Sequence, residues 1–255
     1  MKMRANRVKE KLASGEVASV IWGLKDAEDI DEFGLMGFDG VWIESEHGPS
    51  DFKDLGDLAR SCDLWELTSI VRVNLNEQGV IYRTLDRGVQ GIVVPHVNTR
   101  EEAENVVLGG KFAPTGNRGM YTSRQGFGVP DYYEVANDHT LLVVLIEDIV
   151  AVQNLDEILE VDHIDVFFVA PSDLACSMGH IDNETHPDVQ RTISDTLARI
   201  VRSGRVAGTM VYNQTVAEYA AAGVQFFLTE VGPWITAGAN DFLRNAKKPD
   251  KPAEA

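Results

Sequence analysis

The chain has few cysteines, few basic residues and no long apolar runs. Its two cysteines, Cys62 and Cys176, stand outside any Cys-x-x-Cys pair and away from any histidine cluster. That spacing argues against a disulfide framework and against a zinc site closed by Cys and His. It points to reduced, buried thiols in a cytoplasmic protein. Lysine and arginine number 23 against 40 acidic residues, a formal net charge of -17. Such a field repels phosphate backbones and anionic membranes, so nucleic acid and membranes are set aside as partners. The acidity is spread along the chain, as solubility requires. No segment approaches the ~18 apolar residues of a membrane span. The charged start, MKMRANRVKEKL, leads into an apolar stretch too short and too late for a signal peptide. There is no Gly-x-Gly-x-x-Gly turn, which argues against a doubly wound dinucleotide fold. No lysine lies in an apolar run, and only Lys25 follows one, in the solvated stretch KDAED. A Schiff-base aldolase needs a lysine inside its pocket, so imine chemistry is disfavoured.

What is present is a rhythm. Short runs rich in Val, Ile and Phe fall at 17–23, 40–44, 68–73, 91–97, 141–147, 165–170, 206–212 and 225–230. Continuous apolar runs of this length suit strands buried on both faces of a parallel sheet. Amphipathic segments lie between them. Phe52, Leu55, Leu58, Ala59 and Cys62 share one helical face, as do Val189, Ile193, Leu197, Ile200 and Val201. Ser50 is expected to cap the first of these helices and Pro187 to open the second. Eight strands, each followed by a helix, in 255 residues predict a single (β/α)8 barrel over residues 1–246. A tail at 247–255, KKPDKPAEA, is expected to be disordered. The Gly- and Arg-rich stretch between Lys111 and Thr140 is expected to form an ordered flap over the barrel mouth.

In such barrels chemistry sits at the C-terminal strand ends. Standing there are Glu44, Glu46 and His47 after the second run, Arg72 near the end of the third, and His96 after the fourth. Glu147 and Asp148 follow the fifth, Asp173 the sixth, and Glu230 ends the eighth. So many ionisable groups converging on one rim are costly unless paired or metal-bound. Glu147 and Asp173 are hard oxygen donors on neighbouring strands, suited to Mg²⁺ or Mn²⁺; salt bridges to Arg72 are the alternative. Arg72 offers a planar fork for a carboxylate or an oxyanion, and His47 moves protons near neutral pH unless it is structural. Pro171 and Ser172 open a short helix whose N–H groups suit a substrate carboxylate, or Ser172 is a plain helix cap.

Six segments in order, FDGVWIESEHGP, IVRVN, LDRGVQGIVVPHV, PTGNRG, VLIED and APSDLACSMG, resemble the HpcH/HpaI family of class II pyruvate aldolases. The resemblance implies a barrel that cleaves 4-hydroxy-2-oxo acids to pyruvate and an aldehyde, and runs the reverse aldol addition, with a divalent metal, Mg²⁺ or Mn²⁺ and possibly Co²⁺. It implies Glu147 and Asp173 as metal ligands and Arg72 as the group that stabilises the enolate. His47, assisted by Asp86, would transfer protons, and Pro171, Ser172 and Asp173 would hold the substrate carboxylate. It also implies a homo-oligomer, hexamer or trimer, with the last helix exchanged between neighbours. The chain departs from the family pattern at Glu44 and Ser45, where Asp-Gly is usual, at Ala170, where glycine is usual, and in the loop after Arg118. Glu44 is carried among the catalytic residues, and Arg124, in that loop, is expected to meet the aldehyde end. Two other readings stand beside this one. A lyase of the citrate lyase β-subunit or malyl-CoA lyase type would need a groove for CoA phosphates, with Arg118 and Arg124 as its candidates. A catalytically inactive barrel would serve only as a binding module.

Overall fold

The computed structural model describes residues 1–246. Eight parallel strands, β1 (Ala18–Trp22), β2 (Gly40–Glu44), β3 (Thr68–Arg72), β4 (Gly91–Val94), β5 (Leu141–Ile146), β6 (Val166–Val169), β7 (Ala207–Met210) and β8 (Phe226–Glu230), hydrogen-bond in chain order and close between β8 and β1. The expected runs and these strands agree to within a few residues at each end, and the predicted barrel is observed. The helices are α1 (Arg7–Ala13), α2 (Ala27–Phe33), α3 (Phe52–Leu64), α4 (Gln78–Leu85), α5 (Arg100–Gly110), α6 (Tyr132–His139), α7 (Ile149–Gln153), α8 (Leu155–Leu159), α9 (Pro171–Ser177), α10 (Pro187–Arg202), α11 (Val216–Ala221) and α12 (Gly232–Asn245). None of the described helices is long and apolar enough to cross a membrane.

Alternation along each strand splits the core into two layers. One set, including Ile21, Ile43, Val71, Ile92, Val144, Phe167 and Phe227, packs outward beneath the helices. The other, including Val20, Trp42, Ile70, Val93, Leu145, Phe168 and Leu228, fills the barrel. The aromatic members of the inner layer pack at ring distances of 5.6 Å (Trp42–Phe168) and 6.0 Å (Phe168–Phe226). Gly208 leaves room for this layer: a Cβ there would lie 2.9 Å from the Phe168 ring. Below, α1 plugs the N-terminal end. Val8 is fully buried in the same layer, and its N–H donates to Thr68 Oγ1 at 3.1 Å.

Three local expectations are revised. Asp51, not Ser50, caps α3, with Asp54 completing a capping box. A carboxylate at the cap both accepts N–H groups and complements the helix dipole. Pro187 does open α10. Cys62 is buried and Cys176 is exposed, because α9 turns that face to solvent.

The third revision concerns the stretch between Lys111 and Thr140. It is ordered but packs on the N-terminal end of the barrel, opposite the mouth. Gln125 Nε2 donates to the Gly88 carbonyl at 2.8 Å, and Arg118 binds Asp86 at 2.9 Å beside the start of β4. The reason is topological: α5 runs antiparallel to the strands and returns the chain to their N-terminal ends, so the segment that follows it cannot roof the mouth of its own barrel.

In α12, no residue is buried; Ile235, Phe242 and Leu243 are 60–71% exposed. The expected disordered tail, 247–255, lies outside the described residues.

Candidate active site

The C-terminal end of β2 turns sharply around Glu44. One of its carboxylate oxygens accepts the N–H groups of Glu46 and His47, at 2.8 and 3.1 Å. The other accepts Trp42 Nε1 at 3.2 Å and Arg72 Nε at 2.7 Å. Gly48 is required by this turn, since a Cβ there would come within 2.6 Å of the Glu44 carbonyl oxygen. Glu44 therefore organises the turn and orients Arg72. The longer side chain, where the family pattern has Asp, is what spans from the strand end to both groups.

Arg72, 9% exposed, splits its fork between two acids: Nε meets Glu44, and Nη1 meets Glu46 at 3.2 Å. Its guanidinium also lies 5.9 Å from the Trp42 ring. Burial lifts the Glu46 carboxyl above its ordinary range, against the pull of Arg72 and His47. The His47 ring is exposed, with Nε2 3.9 Å from Glu46.

Across the mouth, His96 adopts φ +52, a left-handed backbone that aims its N–H at Glu147 Oε1, 2.7 Å away. Its ring Nδ1 lies 3.0 Å from Asp148 and 3.4 Å from Glu147. Burial disfavours the charged ring, yet the Asp148 hydrogen bond and the charges of Glu147, Asp148 and Glu46 outweigh it and hold His96 above its usual range. Glu147 is 1% exposed. Burial pushes its carboxyl up to about 7; the charges of Asp173 and Glu46 add to the shift, and the His96 N–H and ring oppose it.

Two carboxylates, Asp173 and Glu46, thus act on the buried Glu147 at the mouth. Buried anions of this kind are stable when a cation joins them. The donor set is hard oxygen, as Mg²⁺ and Mn²⁺ prefer. The residues present fit a divalent cation.

Asp173 stands in the first turn of α9, which Pro171 opens; Ser172 Oγ donates to Glu184. Beside this turn lies a cavity of about 270 Å³. Its polar side carries Glu44, His47, Arg72 and Pro171 to Asp173. Its apolar side carries Trp22, Trp42, Leu145, Phe168, Met210 and Leu228.

The structure therefore brings together Glu44, His47, Arg72, Glu147, Pro171, Ser172 and Asp173. Two expected members are elsewhere. Asp86 ends α4 at the N-terminal end of the barrel, paired with Arg118, so within one chain it does not reach His47. Within the chain, the acid beside His47 is Glu46, 3.9 Å from Nε2. Arg124 is at the same far end, bound to the buried Asp63 and to the Gly88 carbonyl. It does not meet the mouth of its own chain. Arg118 and Arg124, the candidates for a CoA-phosphate groove, are both paired with acids at that end. Residue order alone signals no partner for His96 or Glu46; both stood at the rim in sequence, and only the folded contacts reveal their link to Glu147.

Among the described residues a second group, His180, His186 and Asp188, has ligand atoms within 4.8 Å of one another. Its rings stack at 3.7 Å, and His186 Nδ1 accepts the Asp188 N–H. That arrangement is a helix cap on α10, with the ring lone pair already used.

The closed barrel with acids and an arginine at its C-terminal rim places the chemistry of the chain at that rim. The chain belongs to the HpcH/HpaI aldolase/citrate lyase family, which it matches over residues 20–251. It is 34% identical over 227 residues to a hydroxypyruvate/pyruvate aldolase of Roseovarius nubinhibens, covering 87% of this chain and 88% of that one. It is 36% identical over 209 residues to a 5-keto-4-deoxy-D-glucarate aldolase of Salmonella arizonae, covering 80% and 82%. A crystal structure of a family member from Burkholderia cenocepacia superposes with a TM-score of 0.88 at 26% identity, covering 96% of this chain and all of that one.

Proposed function

We propose that this protein is a divalent-metal-dependent aldolase that cleaves 4-hydroxy-2-oxo acids to pyruvate and an aldehyde, and catalyses the reverse addition. The observation that carries the reading is the buried Glu147, pushed up to about 7, on the same rim as Asp173 and Arg72. Glu147 and Asp173 would hold Mg²⁺ or Mn²⁺, which supplies Lewis-acid withdrawal of charge from a 2-oxo acid. The residues of the chain do the rest. The N–H groups at Ser172 and Asp173 receive the substrate carboxylate. His47 takes the proton of the C4 hydroxyl, and Glu46, 3.9 Å away, favours the imidazolium that results. The C3–C4 bond breaks, C4 becomes the aldehyde carbonyl, and the electron pair passes into the enolate. Arg72, held by Glu44 and Glu46, faces the negative oxygen at C2. Return of the proton from His47 to C3 then gives pyruvate and restores the neutral ring.

The exposed apolar residues of α12 support a homo-oligomer, trimer or hexamer, in which that helix docks on a second copy. The sparse, unpaired thiols support a cytoplasmic location. The deciding experiment follows pyruvate C3 proton exchange and substrate cleavage after chelator treatment. Both should vanish and return with Mg²⁺, Mn²⁺ or Co²⁺. Activity indifferent to chelation, or trapped by borohydride on a lysine, would refute the reading.

A further inference from the structure

The mouth is divided by charge. Its polar half is built on β2, β3, β5 and β6, which carry Glu44, Arg72, Glu147 and Asp173 at or just past their ends. With a 2-oxo acid anchored there by its C1 and C2 oxygens, the part of the cavity left for its chain from C4 onward lies toward β7, β8 and β1. Those strands present Met210, Leu228 and Trp22 above a floor of Leu145 and Phe168. Of the residues lining the cavity, Arg72 is the one fixed cation, beside the proton-transferring His47, and Arg72 is already engaged by two carboxylates.

Two acids border the apolar half. Glu230 ends β8 in register with Trp22 on β1, so the two share the inner face of the barrel. Glu184 accepts the hydroxyl of Ser172 at the cavity wall. Tyr212 stands between these acids and the apolar lining: its hydroxyl donates to Met210 Sδ at 3.2 Å. Burial raises this phenol, and the charges of Glu230 and Glu184 raise it further, so it stays a neutral donor. Arg124, the expected reader of a distal carboxylate, lies at the far end of the barrel.

From this we propose that, given the aldolase reading above, the aldehyde partner is uncharged and largely apolar, with Trp22, Met210 and Leu228 forming its subsite and Glu230 and Glu184 rejecting a second carboxylate. A distal carboxylate would lose its hydration against methionine, leucine and indole and meet two like charges, with no fixed cation among the residues that line that half of the cavity.

The test uses the full-length, metal-loaded protein in its native assembly. Aldol addition of pyruvate is measured with butanal and with succinic semialdehyde, which share a four-carbon chain and differ in the terminal carboxylate. The expected kcat/KM ratio favours butanal by about tenfold or more, as for a charge placed near like charges in a partly desolvated site. A preference above about threefold supports the inference; a smaller or reversed one overturns it. Glu230→Gln should shrink the ratio severalfold, and an unchanged ratio overturns the role of Glu230. Met210→Ala should raise KM for butanal severalfold, and an unchanged KM overturns the subsite. Pyruvate C3 proton exchange, which involves no aldehyde, separates the two readings. No exchange with metal present refutes the aldolase assignment itself. Exchange combined with efficient use of succinic semialdehyde refutes only the aldehyde class.

Discussion

Glu147→Gln separates the cost of the buried carboxylate from its use. In the metal-free protein the Glu147 carboxyl titrates at about 7 instead of its ordinary 4.5. At about 1.36 kcal/mol per pH unit, that difference is a destabilisation of about 3 kcal/mol when the group is ionised. The sign follows from linkage. The folded state binds this proton more tightly than the unfolded state, so stability falls as pH rises from about 4.5 to about 7 and the full cost remains above that. Gln keeps the size and the acceptor for the His96 N–H, 2.7 Å away, but carries no charge. Urea unfolding in chelator should show variant and wild type alike at pH 4, diverging through pH 5 and 6. By pH 8 the variant should be more stable by about 2–3 kcal/mol. With excess Mn²⁺ the order should reverse, because only the wild type gains ligand stabilisation. A variant less stable than wild type in chelator at pH 8 would show that Glu147 is satisfied by the protein alone, and would remove the electrostatic case for a cation.

Other perturbations test the remaining parts. Arg72→Lys keeps the charge but cannot reach Glu44 and Glu46 together, so kcat for cleavage should fall by about 10²-fold or more; a change confined to KM would make Arg72 a binding group only. His47→Ala should slow cleavage with little effect on unfolding midpoint, as its ring is exposed; undiminished cleavage would remove it from the proton transfer. Arg124→Ala strips a partner from the buried Asp63, and because Arg4 and Gln125 still reach that carboxylate, the loss should be about 1–3 kcal/mol. Its ratio of charged to neutral substrates should be unchanged, and a shifted ratio would return Arg124 to substrate recognition. Phe242→Glu places a charge on the exposed apolar face of α12 and should dissociate the assembly in sedimentation measurements; an unaltered assembly would show that this face is not the interface.

The strands were legible in the sequence because a barrel strand is buried on both faces, and burial leaves an apolar run whatever the partner strands are. Their order followed from the alternation with helices. The rim acids were legible for the complementary reason: Glu44, Glu147 and Asp173 end or follow apolar runs, where a charge is too costly to stand without a function. Pro187 was legible as a helix start because the pyrrolidine ring acts locally. The tertiary structure decided what depends on the direction of the chain in space. Asp86 and Arg124 lie in segments that follow helices, and in a parallel barrel such segments return to the N-terminal end, away from the mouth. Composition, rich in glycine and arginine, suggested a flap there and carried no information about which end it covers. The roles of Glu44 and Glu46 were likewise open, since adjacent acids in one turn look alike until the fold sets one to brace Arg72 and accept backbone N–H groups while the other stays near His47. The division of the mouth into a charged half and an apolar half exists only once β8 closes on β1, because Trp22 and Glu230, more than two hundred residues apart, become neighbours by that closure alone.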